Sequence, residues 1–367
     1  MVYRAIGLMS GSSLDGLDIV FAELEENRGA WKYEIIASAC NEYDDALKQK
    51  LTNAKSLNAH DYFLLHAAYG KHLAESVNKF IEENNLYHQV QLIASHGHTV
   101  FHQPKQGVTT QLGCGATLSA LTGINVVSDL RIMDVALGGQ GAPIVPLGEK
   151  LLFPGFDLYL NIGGIANLSS QDKDNFIAFD VCAANRVLNL LTNNEGKAFD
   201  EDGDMAASGT INNELLNQLN ELNYYNEPSP KSLSNNFGTN TVYPLIQSFN
   251  LNTYDALRTY TEHISEQTKV AAQNIIIEKN IQQASYKMMI TGGGAFNSYL
   301  VSLIQEKLST LNIEVVIPGA EVVLYKEALI MALLGVLRWR EENTVLASVT
   351  GALRSSIGGA VWIGQEA

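Results

Sequence analysis

Two stretches of the chain begin alike, and any fold has to accommodate both. Residues 2–9 (VYRAIGLM) and 17–24 (LDIVFAEL) are apolar, β-branched runs flanking the turn-rich segment Ser10–Gly16, which predicts a hairpin with an oversized tip. A third strand is expected over Tyr33–Ala39. From Leu158, the segments LYLNIGG, IANLSS and FIAFD repeat the order of strand, small polar turn, strand, strand. We read this as an internal duplication, carried by architecture rather than by residue identity. A chain of 367 residues is long enough for two lobes, each with its own apolar core.

Between and after these openings the pattern alternates. A helix is expected over Asn58–Asn84, a short buried strand over Val90–Ala94, a helix over Gly115–Leu121 closed by Gly123, and a strand over Asn125–Asp129. The stretch DLRIMDVALGGQGAPIVP is too broken by Gly138, Gly139, Gly141 and Pro143 for a regular element and reads as a hinge or ligand-lining loop. Later helices are expected over Asn185–Leu191, Asn212–Leu222, most of 257–284, and Ser298–Leu311. Tyr286–Thr291 and 313–318 read as strands, Glu327 to about Glu341 as an amphipathic helix, and Asn235–Asn240 as an exposed loop.

Charge narrows the ligands. Lys and Arg number 24 against 39 Asp and Glu, a net charge of -15 with no dense basic tract, so neither nucleic acid nor a membrane surface is an expected partner. A bound phosphate would have to be held locally, by backbone NH groups at glycine turns and by a metal ion. Cys40, Cys114 and Cys182 match neither a disulfide framework nor a zinc knuckle, and the N-terminal apolar stretch is shorter than a signal core. A cytoplasmic location follows as the expectation.

Five groups of residues are candidates for chemistry. Gly11–Asp18 (GSSLDGLD) can aim NH groups and Ser12 and Ser13 hydroxyls at an anion, with Asp15 or Asp18 holding a divalent cation; it also reads as a long β-turn. It is not a P-loop, because no GK[ST] opens a helix there. Gly163 and Gly164 permit close backbone approach to a ligand, or mark a bulge. Gly292, Gly293 and Gly294 lie between a buried strand and a helix, where the adenosine end of a nucleotide could lie against the main chain. Asp180 closes FIAFD, where a general base would sit, although it could also cap the helix near Asn185. His96, His98 and His102 lack interleaved carboxylates or thiols; they fit a polar pocket for a hydroxylated ligand better than zinc, with Arg131 as the cation for any carboxylate on it.

Taken in order, GLMSGSSLDGLD, HGHTVFHQP, QLGCGATLSALTGI, DLRIMDVALGGQGAPIVP, NIGGIANLS, FD followed by N, FDEDGDMAASG, TGGGAFN and EALIMALL resemble the anhydro-N-acetylmuramic acid kinase family from Gly7 to about Gly359. The resemblance implies an α/β fold: a duplicated actin-like, ribonuclease H-like two-lobed kinase with an interlobe cleft. One lobe would span residues 1–131 plus about 345–367, the other 132–344. It implies that Gly11, Ser12, Ser13, Leu14, Asp15, Gly16, Leu17 and Asp18, with Gly163 and Gly164, form two phosphate hairpins, and that Gly292, Gly293 and Gly294 form the adenosine turn. Asp180 would be the catalytic base and His96, Arg131 and Glu327 sugar-side residues, with ATP and Mg2+ as cofactors, Asp15 or Asp18 near the metal, and a homodimer as the assembly.

The implied reaction is hydrolytic opening of 1,6-anhydro-N-acetylmuramic acid with phosphorylation at O6. This chain departs from the family in the loop after Asp180, where TGPGN is usual and Val181, Cys182, Ala183, Ala184 and Asn185 stand; Asn189 replaces an Asp, His98 a Gln, and Ser12 a Thr. Rival readings are a kinase of a plainer anhydrosugar or hexose, and a nucleotide-gated binding protein without transfer chemistry.

Overall fold

The computed structural model describes residues 1–11, 14–172, 175–228, 231–234, 236–278 and 283–364. They form two compact units, Met1–Pro154 with Tyr325–Ala367, and Gly155–Leu324. The expected boundaries were 131/132 and 344/345. Segment 132–154 instead belongs with the first unit, because Asp134 accepts from Gly141 N (2.7 Å) and from the Thr350 hydroxyl (2.6 Å), and Glu149 pairs with Lys326 at 2.6 Å.

The first unit is built on a mixed sheet. Strands β1 (Val2–Ser10), β2 (Gly16–Asn27) and β3 (Ala30–Glu42) form an antiparallel meander; β4 (Leu92–Ser95) runs parallel to β1. A separate hairpin follows, β5 (His98–Gln103) with β6 (Val108–Leu112), and then β7 (Asn125–Ser128), parallel to β4. The hairpin was not expected from sequence: its polar strands, HTVFHQ and VTTQL, carry no clean apolar alternation. The helix Ala59–Glu83 is capped by the Asn58 side chain, which accepts from Asp61 N, and buries Tyr69, Leu73, Val77 and Phe80 on one face. The stretch DLRIMDVALGGQGAPIVP, read as a hinge or ligand-lining loop, contains one short helix, Ile132–Ala136, and its last residue opens another, Pro146–Leu152.

In the second unit β8 (Leu158–Ile162), β9 (Ile165–Asp172) and β10 (Asn175–Ala183) form the antiparallel meander, and β11 (Tyr286–Thr291) and β12 (Ile313–Val316) extend it in parallel. Its sheet order is β10-β9-β8-β11-β12; that of the first unit is β3-β2-β1-β4-β7, with β13 (Ala360–Trp362) added antiparallel outside β7. Numbered within each unit, both orders are 3-2-1-4-5 with the same pattern of directions. The duplication seen in the sequence is thus a duplication of topology, and the fold is the actin-like, ribonuclease H-like α/β architecture.

The long helix Ala320–Trp339 starts earlier than its expected residue 327 and is not amphipathic: every residue from Ala328 to Leu337 is buried. It gets that close to the first sheet through glycine. A Cβ on Gly7 of β1 would strike the Ala328 carbonyl, and one on Gly335 would sit 2.5 Å from Ala94 Cβ. The second core gathers around Thr253–Glu278, whose buried Tyr260 donates to the Ala183 carbonyl at 2.8 Å. Asn235 lies outside the described residues, and the rest of the expected loop turns into a π-helical segment, Gly238–Val242.

Candidate active site

In open α/β sheets, ligand-binding residues collect at the carboxyl ends of parallel strands. In the first unit β1, β4 and β7 end together, delivering Ser10 and Gly11, His96, and Arg131, while β5 begins at His98 and the long helix contributes Glu327. These side chains, with Met9 and Thr99, line one cavity of about 250 Å³. Sugar-side candidates His96, Arg131 and Glu327 are therefore brought together.

Their charges are arranged by burial. Arg131 Nε donates to His96 Nε2 at 2.9 Å, and His96 Nδ1 lies 2.9 Å from the Gly97 carbonyl. A lone pair must face the guanidinium and a proton the carbonyl, so His96 is neutral with its proton on Nδ1. Burial and the Arg131 charge push its pKa down to about 3. Arg131 is itself lowered to about 10 by burial, although Glu327 and Asp134 support its charge. Burial also raises Glu327, against the attraction of Lys326 and Arg131. A cation, a neutral imidazole and a carboxyl group share the cavity.

The first glycine turn is only partly described, since Ser12 and Ser13 lie outside the described residues. Gly11 faces the cavity and Asp15 is exposed. Leu14 packs its side chain on the first core and Leu17 is buried within it, paired in the sheet between Ser10 and Asn41, so only their main chain is left to face a ligand. Gly16 has a packing reason of its own, because a Cβ there would lie 2.7 Å from the Asn41 carbonyl oxygen.

Asp18 is more informative. Its pKa is raised to about 6, first by burial and then by the Glu327 and Asp15 carboxylates, against the Cys40 thiol hydrogen bond. Asp18 and Asp15, carboxylates in one another's field, suit a divalent cation that keeps water and phosphate oxygens as its other ligands. Among the described residues no group of three His, Cys, Asp or Glu forms a fuller metal cage.

In the second unit β8 and β11 end at the other two glycine turns. A Cβ on Gly163 or Gly164 would meet nothing closer than 3.5 Å, and on Gly293 nothing closer than 3.7 Å. Packing does not demand glycine there, so the missing side chains leave room for a ligand to reach the backbone. Gly292 and Gly294 differ: Gly292 has φ 81° and a Cβ would lie 2.6 Å from Asn161 Oδ1, while one on Gly294 would collide with Ile162 Cγ2. These two seat the turn against β8.

Arg186, not singled out in the sequence, lies beside the Gly163–Gly164 turn: it follows the loop after Asp180 near the start of the helix Asn185–Thr192, and its Nε lies 3.7 Å from where a Gly164 Cβ would stand.

Asp180 sits where β10 breaks register with β9, between Asp180 and Cys182. Such a bulge re-aims a side chain. Phe179, Val181 and Cys182 go into the core, whereas Asp180 remains partly exposed. It does not cap the following helix, whose first turn has no side-chain cap. Its Oδ2 accepts from Leu233 N at 2.8 Å, its own NH donates to the Lys231 carbonyl at 3.2 Å, and its carbonyl accepts from the Tyr224 hydroxyl at 2.6 Å. Tyr224, Lys231 and Leu233 therefore hold the residue on three sides. Burial raises the carboxyl pKa, and the Leu233 NH partly offsets this.

Comparison with known proteins identifies the family. A family model described as anhydro-N-acetylmuramic acid kinase matches residues 3–364. The anhydro-N-acetylmuramic acid kinase of Sulfurimonas denitrificans is 32% identical over 97% of this chain and 98% of its own, and that of Aliivibrio fischeri is 34% identical over 83% and 84%. Among solved structures, the activator of the 2-hydroxyisocaproyl-CoA dehydratase from Clostridium difficile with bound ADPNP aligns over 92% of this chain and 96% of its own. At 15% identity and a TM-score of 0.46, that likeness adds nothing to the topology. From the repeated sheet order and a match that runs nearly end to end, it follows that the chain belongs to the anhydro-N-acetylmuramic acid kinase family.

Proposed function

We propose that this protein is an ATP-dependent kinase that hydrolytically opens 1,6-anhydro-N-acetylmuramic acid and phosphorylates O6, giving N-acetylmuramic acid 6-phosphate. The observation that carries the reading is Asp180: a carboxylate on a strand bulge, oriented by one backbone donor, with its pKa raised toward the working range of a base. The anhydro sugar has no free hydroxyl at carbon 6, so a nucleophile must first be made. Asp180 takes a proton from water, the water oxygen bonds to carbon 1, and the electrons of the carbon 1–O6 bond pass to O6. O6 then attacks the γ-phosphorus in line, and the bond to the β-phosphate oxygen breaks.

Unit by unit, the chain's residues divide the work. Arg131 and Glu327 suit a hydroxylated ligand bearing a carboxylate, with His96 fixing the guanidinium. Backbone NH groups near Gly11, Gly163, Gly164 and Gly293 suit phosphate and nucleotide. Asp18, with Asp15, would hold Mg2+, which neutralises phosphate charge when bound with ATP. A cytoplasmic homodimer serving cell-wall turnover belongs to the same reading. No helix among the described residues is long and apolar enough to cross a membrane.

The test is turnover in 18O-labelled water on a panel of 1,6-anhydro-N-acetylmuramic acid, levoglucosan and free hexoses. The reading expects label at carbon 1 and a 6-phosphate only from the muramic substrate. Equal turnover of levoglucosan favours the plainer-sugar kinase, and nucleotide binding without any sugar phosphate favours the binding protein.

A further inference from the structure

We propose that His98 is a specificity-determining donor of the sugar site, locked by a buried hydroxyl relay in the tautomer that points an N–H into the cavity; the inference rests on the sugar-kinase reading above. Tyr43 donates its phenolic proton to Ser10 Oγ at 2.8 Å, and the Tyr43 and Tyr69 hydroxyls are 2.6 Å apart. A phenol has one proton, so Tyr69 is the donor within the tyrosine pair. Ser10 Oγ lies 3.1 Å from His98 Nδ1. Tyr43 and His98 are the partners of Ser10 Oγ among the described residues, so with Tyr43 donating to it the buried serine pairs its own proton by directing it at Nδ1, which then presents a lone pair. The ring proton of His98 therefore sits on Nε2.

Among the described residues no hydrogen bond engages Nε2, and His98 lines the cavity beside Arg131 and Glu327. The relay itself is buried at Ser10, Tyr43 and Tyr69. Burial lowers the His98 pKa to about 4, so the imidazole stays a neutral, single-proton donor at physiological pH.

The neighbouring histidine is wired the other way. His96 gives its proton to the Gly97 carbonyl and its lone pair to Arg131, so it has nothing to offer a ligand. Of the two imidazoles that line the cavity, only His98 can recognise a neutral acceptor oxygen, such as an ether, hydroxyl or amide carbonyl, leaving the guanidinium for a carboxylate. The three relay hydroxyls come from β1, from the residue just beyond β3 and from the helix Ala59–Glu83, so the tautomer is set by tertiary structure.

Long-range 15N–1H correlation on protein with labelled histidine rings reads the tautomer without substrate. The expected result is a protonated Nε2 at His98 in the wild type, moving toward the Nδ1–H form in Ser10→Ala and Tyr43→Phe. In steady-state assays with the anhydro sugar, His98→Ala should raise the sugar KM about tenfold, the upper range for one neutral hydrogen bond, and leave the ATP KM in place. His98→Gln, which keeps an N–H of similar reach, should recover most of that loss. A proton on Nδ1 in the wild type overturns the inference, as does an unchanged sugar KM in His98→Ala when the wild type phosphorylates the sugar. If His98→Ala does not fold, an unchanged sugar KM in Tyr43→Phe has the same force. A wild type that phosphorylates no anhydro sugar overturns the kinase reading and this role with it, and the two failures are told apart because the tautomer is read in either case.

Discussion

Asp180 concentrates the chemistry at the scale of one residue. Replacing it with Asn keeps the shape and an acceptor for Leu233 N but removes the base, so sugar-dependent ADP release should fall by about 10²–10⁴-fold, the usual contribution of general base catalysis. Retained turnover in Asp180→Asn would refute the assignment. The pH profile carries a second expectation. A base works when ionised, and burial makes this carboxyl hold its proton to higher pH than the ordinary 3.8. The acid limb of kcat/KM should therefore fall at a pH above that of an exposed aspartate, and a limb at or below 3.8 would remove desolvation from the account. Glycines separate at this scale too. Gly292 and Gly294 satisfy packing, whereas Gly163, Gly164 and Gly293 leave space beside the backbone.

At the scale of elements, the long helix and β1 are held in contact by absent side chains. Gly7→Ala would place a methyl against the Ala328 carbonyl, which neither backbone can easily yield to. The expected cost is about 1–3 kcal/mol, read as a lower urea midpoint with an unchanged m-value. An unchanged midpoint would mean that the helix shifts freely on the sheet. Because β1 ends in Ser10 and Gly11, the same variant should also weaken ligand binding in the first unit. The β10 bulge has the parallel role in the second unit: one extra residue at Val181 lets Phe179 and Cys182 fill the core while Asp180 stays accessible. The Lys231 carbonyl then takes the Asp180 NH on the outer edge of β10, an edge left unpaired by the sheet order.

For the whole molecule, nucleotide binding should register as stability. With free ATP and magnesium at 100 times the Kd, the folded state gains about 2.7 kcal/mol, and a thermal melt should shift upward accordingly. No shift at millimolar nucleotide would count against the phosphate turns of both units. The sequence by itself determined the repeated strand order, the helix beginning at an Asn cap, the three glycine turns and a strand carrying Asp180, although that strand runs on to Ala183 rather than ending at the aspartate. Each of these is a local demand of backbone geometry or hydrophobic period, written within a few neighbouring residues. Tertiary structure alone decided the rest: the boundaries at 154/155 and 324/325, the all-round burial of Ala328–Leu337 within the long helix, the core duty of Leu17 and the tautomers of His96 and His98. These depend on which distant side chains meet, and contact between residues far apart in the chain leaves no periodic signal along it.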